Sequence, residues 1–311
     1  MVDAASKTFF HLLARSRLLK RLASRYGMAT PASFGRRFIA GETTAEAIEA
    51  ARDVEAAGLS QTLDYLGESV GSTAQADQAT REYLSVLPEI VTAGIGRNIS
   101  LKLTQLGLDV DRVTALDNLR RILEPAGVHG FFVRIDMENS PYTDVTLDIF
   151  ETLWGLGYRN LGVVLQSALH RTEADLERLI TLGARVRLVK GAYKEPSAVA
   201  FQRKADVDAA YRRLMERLLA SGTFPALATH DPTIIDDARA CATRLGVTPD
   251  KFEFQMLYGI RRDLQRRLVS EGYGVRLYIP FGREWFPYFM RRLGERPANV
   301  GFVLRSVVSE G

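Results

Sequence analysis

Eight short runs rich in β-forming residues recur along the chain, and each of the first seven is followed by a segment with helical periodicity. The runs are Gln61–Leu66, Ile99–Leu103, Phe131–Met137, Leu161–Gln166, Arg185–Ala192, Ala226–His230, Phe252–Leu257 and Val275–Pro280. Their central residues lie 23 to 40 positions apart, room each time for a strand, a helix and two loops. Strands that alternate with helices pair in parallel. Eight such units predict an α/β chain closed into a (β/α)8 TIM barrel rather than an open sheet. Residues 1–60 then form an N-terminal helical arm with no barrel strand, and residues 61–311 the barrel. The length of 311 residues fits this single domain, since barrels of about 250 residues count as one.

Local punctuation supports the helices. Thr43 and Glu46 have capping-box spacing, Asp231-Pro232 places a cap before a proline at the first helical position, and Thr172 with Asp175 is a weaker box. Gly127, Gly157, Gly183, Gly222 and Gly246 follow apolar helical stretches, where helices end. Gly94 and Gly96 come before a strand rather than after one, so they also read as a helix end and not as a dinucleotide fingerprint.

Composition narrows the function. Lys and Arg number 41 against 37 Asp and Glu, a net charge of +4, too mild to argue for nucleic acid. Cys241 is the only cysteine; no internal disulfide can form, a cytoplasmic compartment fits, and the residue reads as a small buried member of an amphipathic helix. His11, His129, His170 and His230 are scattered, with no metal-binding spacing, so His230 reads as a hydrogen-bonding or stacking group. No run of 18 apolar residues is present. Lys7 to Met28 mixes leucine and phenylalanine with Lys7, Arg15, Arg17, Lys20, Arg21 and Arg25. That basic amphipathic segment either packs on the barrel or lies on the inner face of the cell membrane.

In a (β/α)8 barrel the chemistry sits at the C-terminal ends of the strands. Those ends carry polar residues here: Glu68, Lys102, Asp136, Gln166, Arg187 with Lys190, Thr229 with His230, Gln255, and Tyr278. A charge inside such a strand is costly unless paired, and Lys102 and Asp136 fall on neighbouring strands. Arg187 and Val189 point one way, Leu188 and Lys190 the other. Gly191-Ala192 leaves backbone amides open to a ligand, and Arg203 and Lys204 could neutralise phosphates. After the last strand, Tyr288, Arg291 or Arg292, and Glu295 share one helical face beside Trp285, Phe286 and Phe289. The adjacent arginines suit a small carboxylate, and the aromatic residues read as pocket walls. Taken alone, these residues also permit a lyase with a Schiff base on Lys102 or Lys190, or a non-catalytic binding module.

Nine motifs in order carry a resemblance. They are Gly41-Glu-Thr-Thr, Tyr65-Leu-Gly-Glu68, Ile99-Ser-Leu-Lys102-Leu, Arg134-Ile-Asp136-Met-Glu, Val164-Leu-Gln166, Arg187-Leu-Val-Lys-Gly-Ala-Tyr193, Ala228-Thr-His230, Glu253-Phe-Gln255-Met-Leu257 and Tyr288-Phe-Met-Arg291-Arg292-Leu-Gly-Glu295. From about Phe38 to Asn299 the chain resembles the proline dehydrogenase family in its stand-alone bacterial form. The resemblance implies a distorted (β/α)8 barrel with non-covalent FAD at the strand ends. It implies oxidation of L-proline to Δ1-pyrroline-5-carboxylate, electrons passed to a membrane quinone, and a separate pyrroline-5-carboxylate dehydrogenase downstream. Residue by residue, Arg291 and Arg292 match the pair that binds the proline carboxylate. Lys102 matches a substrate-side residue held by Asp136, and Arg187 a group near flavin N5. Met137, Gln166, Val189, Lys190, Gly191, Ala192, Arg203, Lys204, Thr229, His230, Gln255 and Glu295 match flavin contacts. Leu257, Tyr278 and Tyr288 match walls of the proline site, and Glu68 a partner of Arg291 that closes it.

Overall fold

The computed structural model describes residues 34–295, and side chains over 35–290. Eight strands close in sequence order into a parallel barrel, β8 returning to β1. They are β1 (Ser60–Tyr65), β2 (Asn98–Leu101), β3 (Phe132–Ile135), β4 (Leu161–Gln166), β5 (Arg185–Val189), β6 (Ala226–Ala228), β7 (Glu253–Leu257) and β8 (Gly274–Phe281). The helices are α1 (Thr44–Ala56), α2 (Thr73–Ala93), α3 (Arg112–Val128), α4 (Thr143–Gly155), α5 (Thr172–Thr181), α6 (Lys204–Ser221), α7 (Pro232–Leu245), α8 (Arg262–Ser270) and α9 (Trp285–Glu295). The (β/α)8 architecture expected from the repeated pattern is the one observed. The basic segment Lys7–Met28 lies outside the described residues.

Several expected caps are present. The Thr43 side chain accepts the Glu46 amide while Glu46 reaches back, a complete capping box at α1. Asp231 accepts the Thr233 amide and Pro232 opens α7. Gly94 and Gly246 end α2 and α7 in the left-handed conformation. Cys241 is buried on α7.

Others differ. Thr172 does not cap α5: its hydroxyl donates to the Gln166 carbonyl, and Asp175 instead pairs with Arg171 at 2.7 Å. Gly127 lies inside the last turn of α3, and Gly222 closes α6 with an extended backbone.

Most strands are shorter than their sequence runs. Lys102, Asp136, Lys190 and His230 all lie just past the last ladder residue. The inside–outside alternation along β5 therefore ends at Val189, and Lys190 faces the same cavity as Val189.

The side chains between strands and helices are apolar, but much of the barrel's own interior is polar. Thr62, Ser100, Arg134, Arg187, Glu253 and Gln255 are all buried. Arg134 donates to the carbonyls of Val163 and Arg185, and Arg276 pairs with Glu253 at 2.9 Å. A second apolar cluster joins Phe38 and Ile39 to Leu66, Ile260 and the aromatic face of α9. Two backbone hydrogen bonds, Ala40 N to Pro280 O and Gly282 N to Gly41 O, fasten that segment beside the end of β8. The Trp285 indole N–H donates to Glu42 at 2.8 Å.

Candidate active site

A cavity of about 560 Å³ opens at the C-terminal mouth of the barrel. All eight strands point their C-termini to this end, so their polar residues converge from positions remote in sequence.

On one side lie four charges in alternation. Lys102 Nζ is 3.2 and 3.4 Å from the two carboxylate oxygens of Asp64 and 3.5 Å from Asp136 Oδ2. Arg187 Nη1 donates to Asp136 Oδ1 at 2.8 Å, and Nη2 to Ser100 Oγ at 3.1 Å. Tyr278 donates to Asp136 Oδ2 at 2.7 Å, with its hydroxyl 3.3 Å from Lys102 Nζ. The Arg187 guanidinium also lies over the Tyr278 ring, 5.5 Å from its centre. Burial, followed by the carboxylates of Asp136 and Asp64, holds the Tyr278 phenol well above its ordinary value. It is therefore a neutral donor. Burial also raises Asp64, against the pull of Lys102.

The opposite side carries cations and amides. Lys190 reaches Asp208 at 2.7 Å and Asp231 at 3.0 Å, and Lys204 adds ion pairs to both. Burial pushes the two carboxyls up, but the lysines outweigh it and both end low. His230 Nε2 accepts the Leu257 amide at 2.9 Å, which places the ring proton on Nδ1 in the neutral tautomer. Gln166 donates to Glu138 O at 2.8 Å. Gln255 keeps Oε1 buried, with no hydrogen-bond partner among the described residues.

Most expected site residues meet here. Met137, Gln166, Val189, Gly191, Ala192, Lys204, Thr229, His230, Gln255 and Leu257 line the cavity with Lys102, Asp136, Arg187, Lys190, Tyr278 and Tyr288. Glu68 lines an adjoining cavity of about 500 Å³ that shares Lys102 and Tyr288 with the first. Arg203 does not line the cavity; it is exposed and pairs with Asp206 at 3.3 Å. Arg291, Arg292 and Glu295 are on α9, but their side chains lie outside the described residues. Of the aromatic residues around them, Tyr288 alone lines the cavity. Trp285, Phe286 and Phe289 are buried in the second apolar cluster, so they anchor the helix instead of walling the pocket.

Asp64 and Asp208 are missing from the sequence-based set. Asp64 could have been found as a carboxylate sharing the inward parity of Thr62 on a strand with buried neighbours. Asp208 stands four residues after Lys204, an ordinary surface spacing, and only the fold brings Lys190 to it.

Each active-site lysine is ion-paired to two carboxylates, the arrangement of a fixed cation and not of an amine nucleophile. Among the described residues no cluster of His, Cys, Asp and Glu is built to hold a metal, and no helix is long and apolar enough to cross a membrane.

The family model for proline dehydrogenase matches residues 47–305. The chain is 40% identical over 305 residues to Proline dehydrogenase 2 of Bacillus subtilis, covering 98% of this chain and 99% of that one. It is 44% identical over 276 residues to Proline dehydrogenase of Deinococcus radiodurans, covering 88% and 89%. The chain belongs to the proline dehydrogenase family. It is an oxidoreductase acting at the first step of proline catabolism. Among solved structures, proline utilization A from Bdellovibrio bacteriovorus, inactivated by N-propargylglycine, superposes with a TM-score of 0.79 at 26% identity. The match covers 84% of this chain and 32% of that one, so the chain spans about a third of that protein's length. Within this proline dehydrogenase barrel, the charged quartet and the lysine side of the cavity occupy the mouth where (β/α)8 enzymes do their chemistry.

Proposed function

We propose that the barrel oxidises L-proline to Δ1-pyrroline-5-carboxylate with non-covalently bound FAD, and that the electrons pass to a membrane quinone. The observation that carries this reading is the cavity's division into a buried, charge-neutral quartet and a lysine-rich arm.

The residues present fit a flavin dinucleotide. A pocket of about 560 Å³ lies within the size of cofactor sites. Lys190 and Lys204, beside the N-terminus of α7, suit a pyrophosphate. The unpartnered Gln255 oxygen accepts a ring N–H, and Gln166 adds a second amide. Gly191 has φ +109°, a conformation side chains rarely adopt, and leaves its backbone on the cavity wall. Met137, Val189, Ala192, Thr229 and His230 complete the set. When bound, FAD supplies the acceptor for the hydride leaving the ring carbon next to nitrogen.

The chain's residues do the rest. Arg291 and Arg292 bind the carboxylate, and Lys102 adds a fixed cation on the substrate side. Asp136 locks Arg187 and Tyr278 in place, so the field around the reacting atoms is preorganised. Leu257, Tyr278 and Tyr288 wall the ring, and Glu68 pairs with Arg291 to exclude water. The ring nitrogen must be neutral when hydride leaves, because its lone pair becomes the C=N bond. A separate pyrroline-5-carboxylate dehydrogenase takes the product onward. The protein works in the cytoplasm or on the inner face of the membrane.

The visible spectrum of the purified protein tests this reading. A yellow protein that L-proline bleaches without oxygen is expected. A colourless protein that takes up no added FAD contradicts it.

A further inference from the structure

Asp64 is fully buried at the end of β1, and two of its neighbours across the barrel wall are Ser100 and Pro280. A carboxylate taken wholly out of water is strongly disfavoured unless it is paired. Its pairing is with Lys102, whose side chain is itself only 9% exposed. The neighbouring Asp136 is already engaged. Its Oδ1 takes Arg187 at 2.8 Å and its Oδ2 takes the Tyr278 hydroxyl at 2.7 Å, while Lys102 stands back at 3.5 Å. The mouth thus holds two cations and two carboxylates, each carboxylate with its own principal cation.

We propose that Asp64 is a positioning residue for the oxidation: it holds the Lys102 ammonium away from Asp136, so that Lys102 faces the substrate and Asp136 keeps Tyr278 and Arg187. This rests on the function proposed above. Without the Asp64 charge, Asp136 is the carboxylate that remains in the quartet, 3.5 Å from Lys102 Nζ. The ammonium then competes with the Tyr278 hydroxyl for Oδ2. Two features fail together: the cation offered to substrate retreats, and the Tyr278 wall loses its anchor. Asp64 does not line the cavity, so it acts through the groups beside it, Lys102 first and then the Tyr278 hydroxyl, and not by contact with substrate.

The isosteric Asp64→Asn variant tests this, together with Lys102→Met and the double variant. The readouts are the proline concentration that half-bleaches the flavin in single turnover, the proline-dependent rise in melting temperature, and the FAD-to-protein ratio. Asp64→Asn is expected to raise the half-bleaching concentration roughly tenfold and shrink the proline-dependent rise, with FAD content unchanged. In the Lys102→Met background the same substitution is expected to change proline affinity by less than about twofold, because its principal route of action is gone. Asp64→Asn with wild-type proline affinity overturns the proposal. So does a loss of the same size in both backgrounds, which assigns Asp64 to the fold alone. If Asp64→Asn yields no folded protein, the double variant, which removes both charges, is expected to fold; its failure overturns the proposal. Absence of bleaching in the unsubstituted protein is a different result: it defeats the proposed oxidation itself and this inference with it.

Discussion

At the scale of single residues, the site is organised by who pairs with whom. Lys190 is half-buried between Asp208 and Asp231, a cation fixed before any ligand arrives. Lys190→Met leaves those two carboxylates with Lys204 alone. A charged hydrogen bond is worth about 1.5–3 kcal/mol, so FAD binding is expected to weaken about tenfold or more. Titration of the apoprotein with FAD measures this, and an unaltered dissociation constant refutes the phosphate role. Arg292→Met separates the two halves of the site: proline KM is expected to rise sharply while the flavin stays bound. An unchanged KM sinks the carboxylate assignment. With Tyr278, anchored on Asp136 at 2.7 Å, proposed as a wall of the proline site, proline is expected to be preferred to hydroxyproline. Equal kcat/KM for the two contradicts that.

At the scale of elements, the position of α9 depends on a segment more than 240 residues earlier. Phe38 and Ile39 bury the aromatic face of that helix, and Gly259 makes the approach possible. Its φ is +74°, and a Cβ built there would sit 1.7 Å from the Arg37 carbonyl oxygen. Gly259→Ala must therefore displace the strap formed by residues 37–39. The helix that carries Tyr288 and the two arginines loses its backing, while the lysine side of the cavity is untouched. Proline KM is expected to rise severalfold with FAD content preserved; steady-state kinetics with a flavin spectrum check it, and an unchanged KM shows that the strap does not set the helix. This coupling also shows what the chain alone could not reveal. The eight strands and the Thr43 box were legible because periodicity and capping are local in sequence. Strand ends were overrun because pairing stops where a neighbouring strand stops. From sequence, Trp285, Phe286 and Phe289 read as pocket walls, since an apolar face does not declare whether it meets a ligand or Phe38. Asp64 stayed hidden because its meaning lies in a lysine 38 positions away.

At the scale of the whole molecule, charge placement sets the response to acid. Glu46, Asp77, Asp111, Glu177, Asp208, Asp231, Asp250, Glu253 and Asp263 all titrate below their ordinary values. At Glu253 burial pushes upward, but Arg276 and the Gln255 hydrogen bond outweigh it; at Asp263 the Arg261 hydrogen bonds bring the carboxyl to about 2. Asp64 and Glu138 go the other way, both through burial. A carboxyl lowered by folding stabilises the protein above its unfolded value of about 4, and that contribution is lost as pH falls through the folded value. A carboxyl raised by folding does the reverse, so acid relieves Asp64 and Glu138. Among the described residues, nine against two makes loss the expected direction. Seven of the nine are partly or fully exposed and screened, so the slope is shallow and salt flattens it. The melting temperature is therefore expected to be level from pH 8 to about 5, to fall below about pH 4, and to fall less in 0.5 M salt than in 0.05 M. A melting temperature that holds or rises down to pH 3 means that the buried pair governs the acid response and the surface network does not.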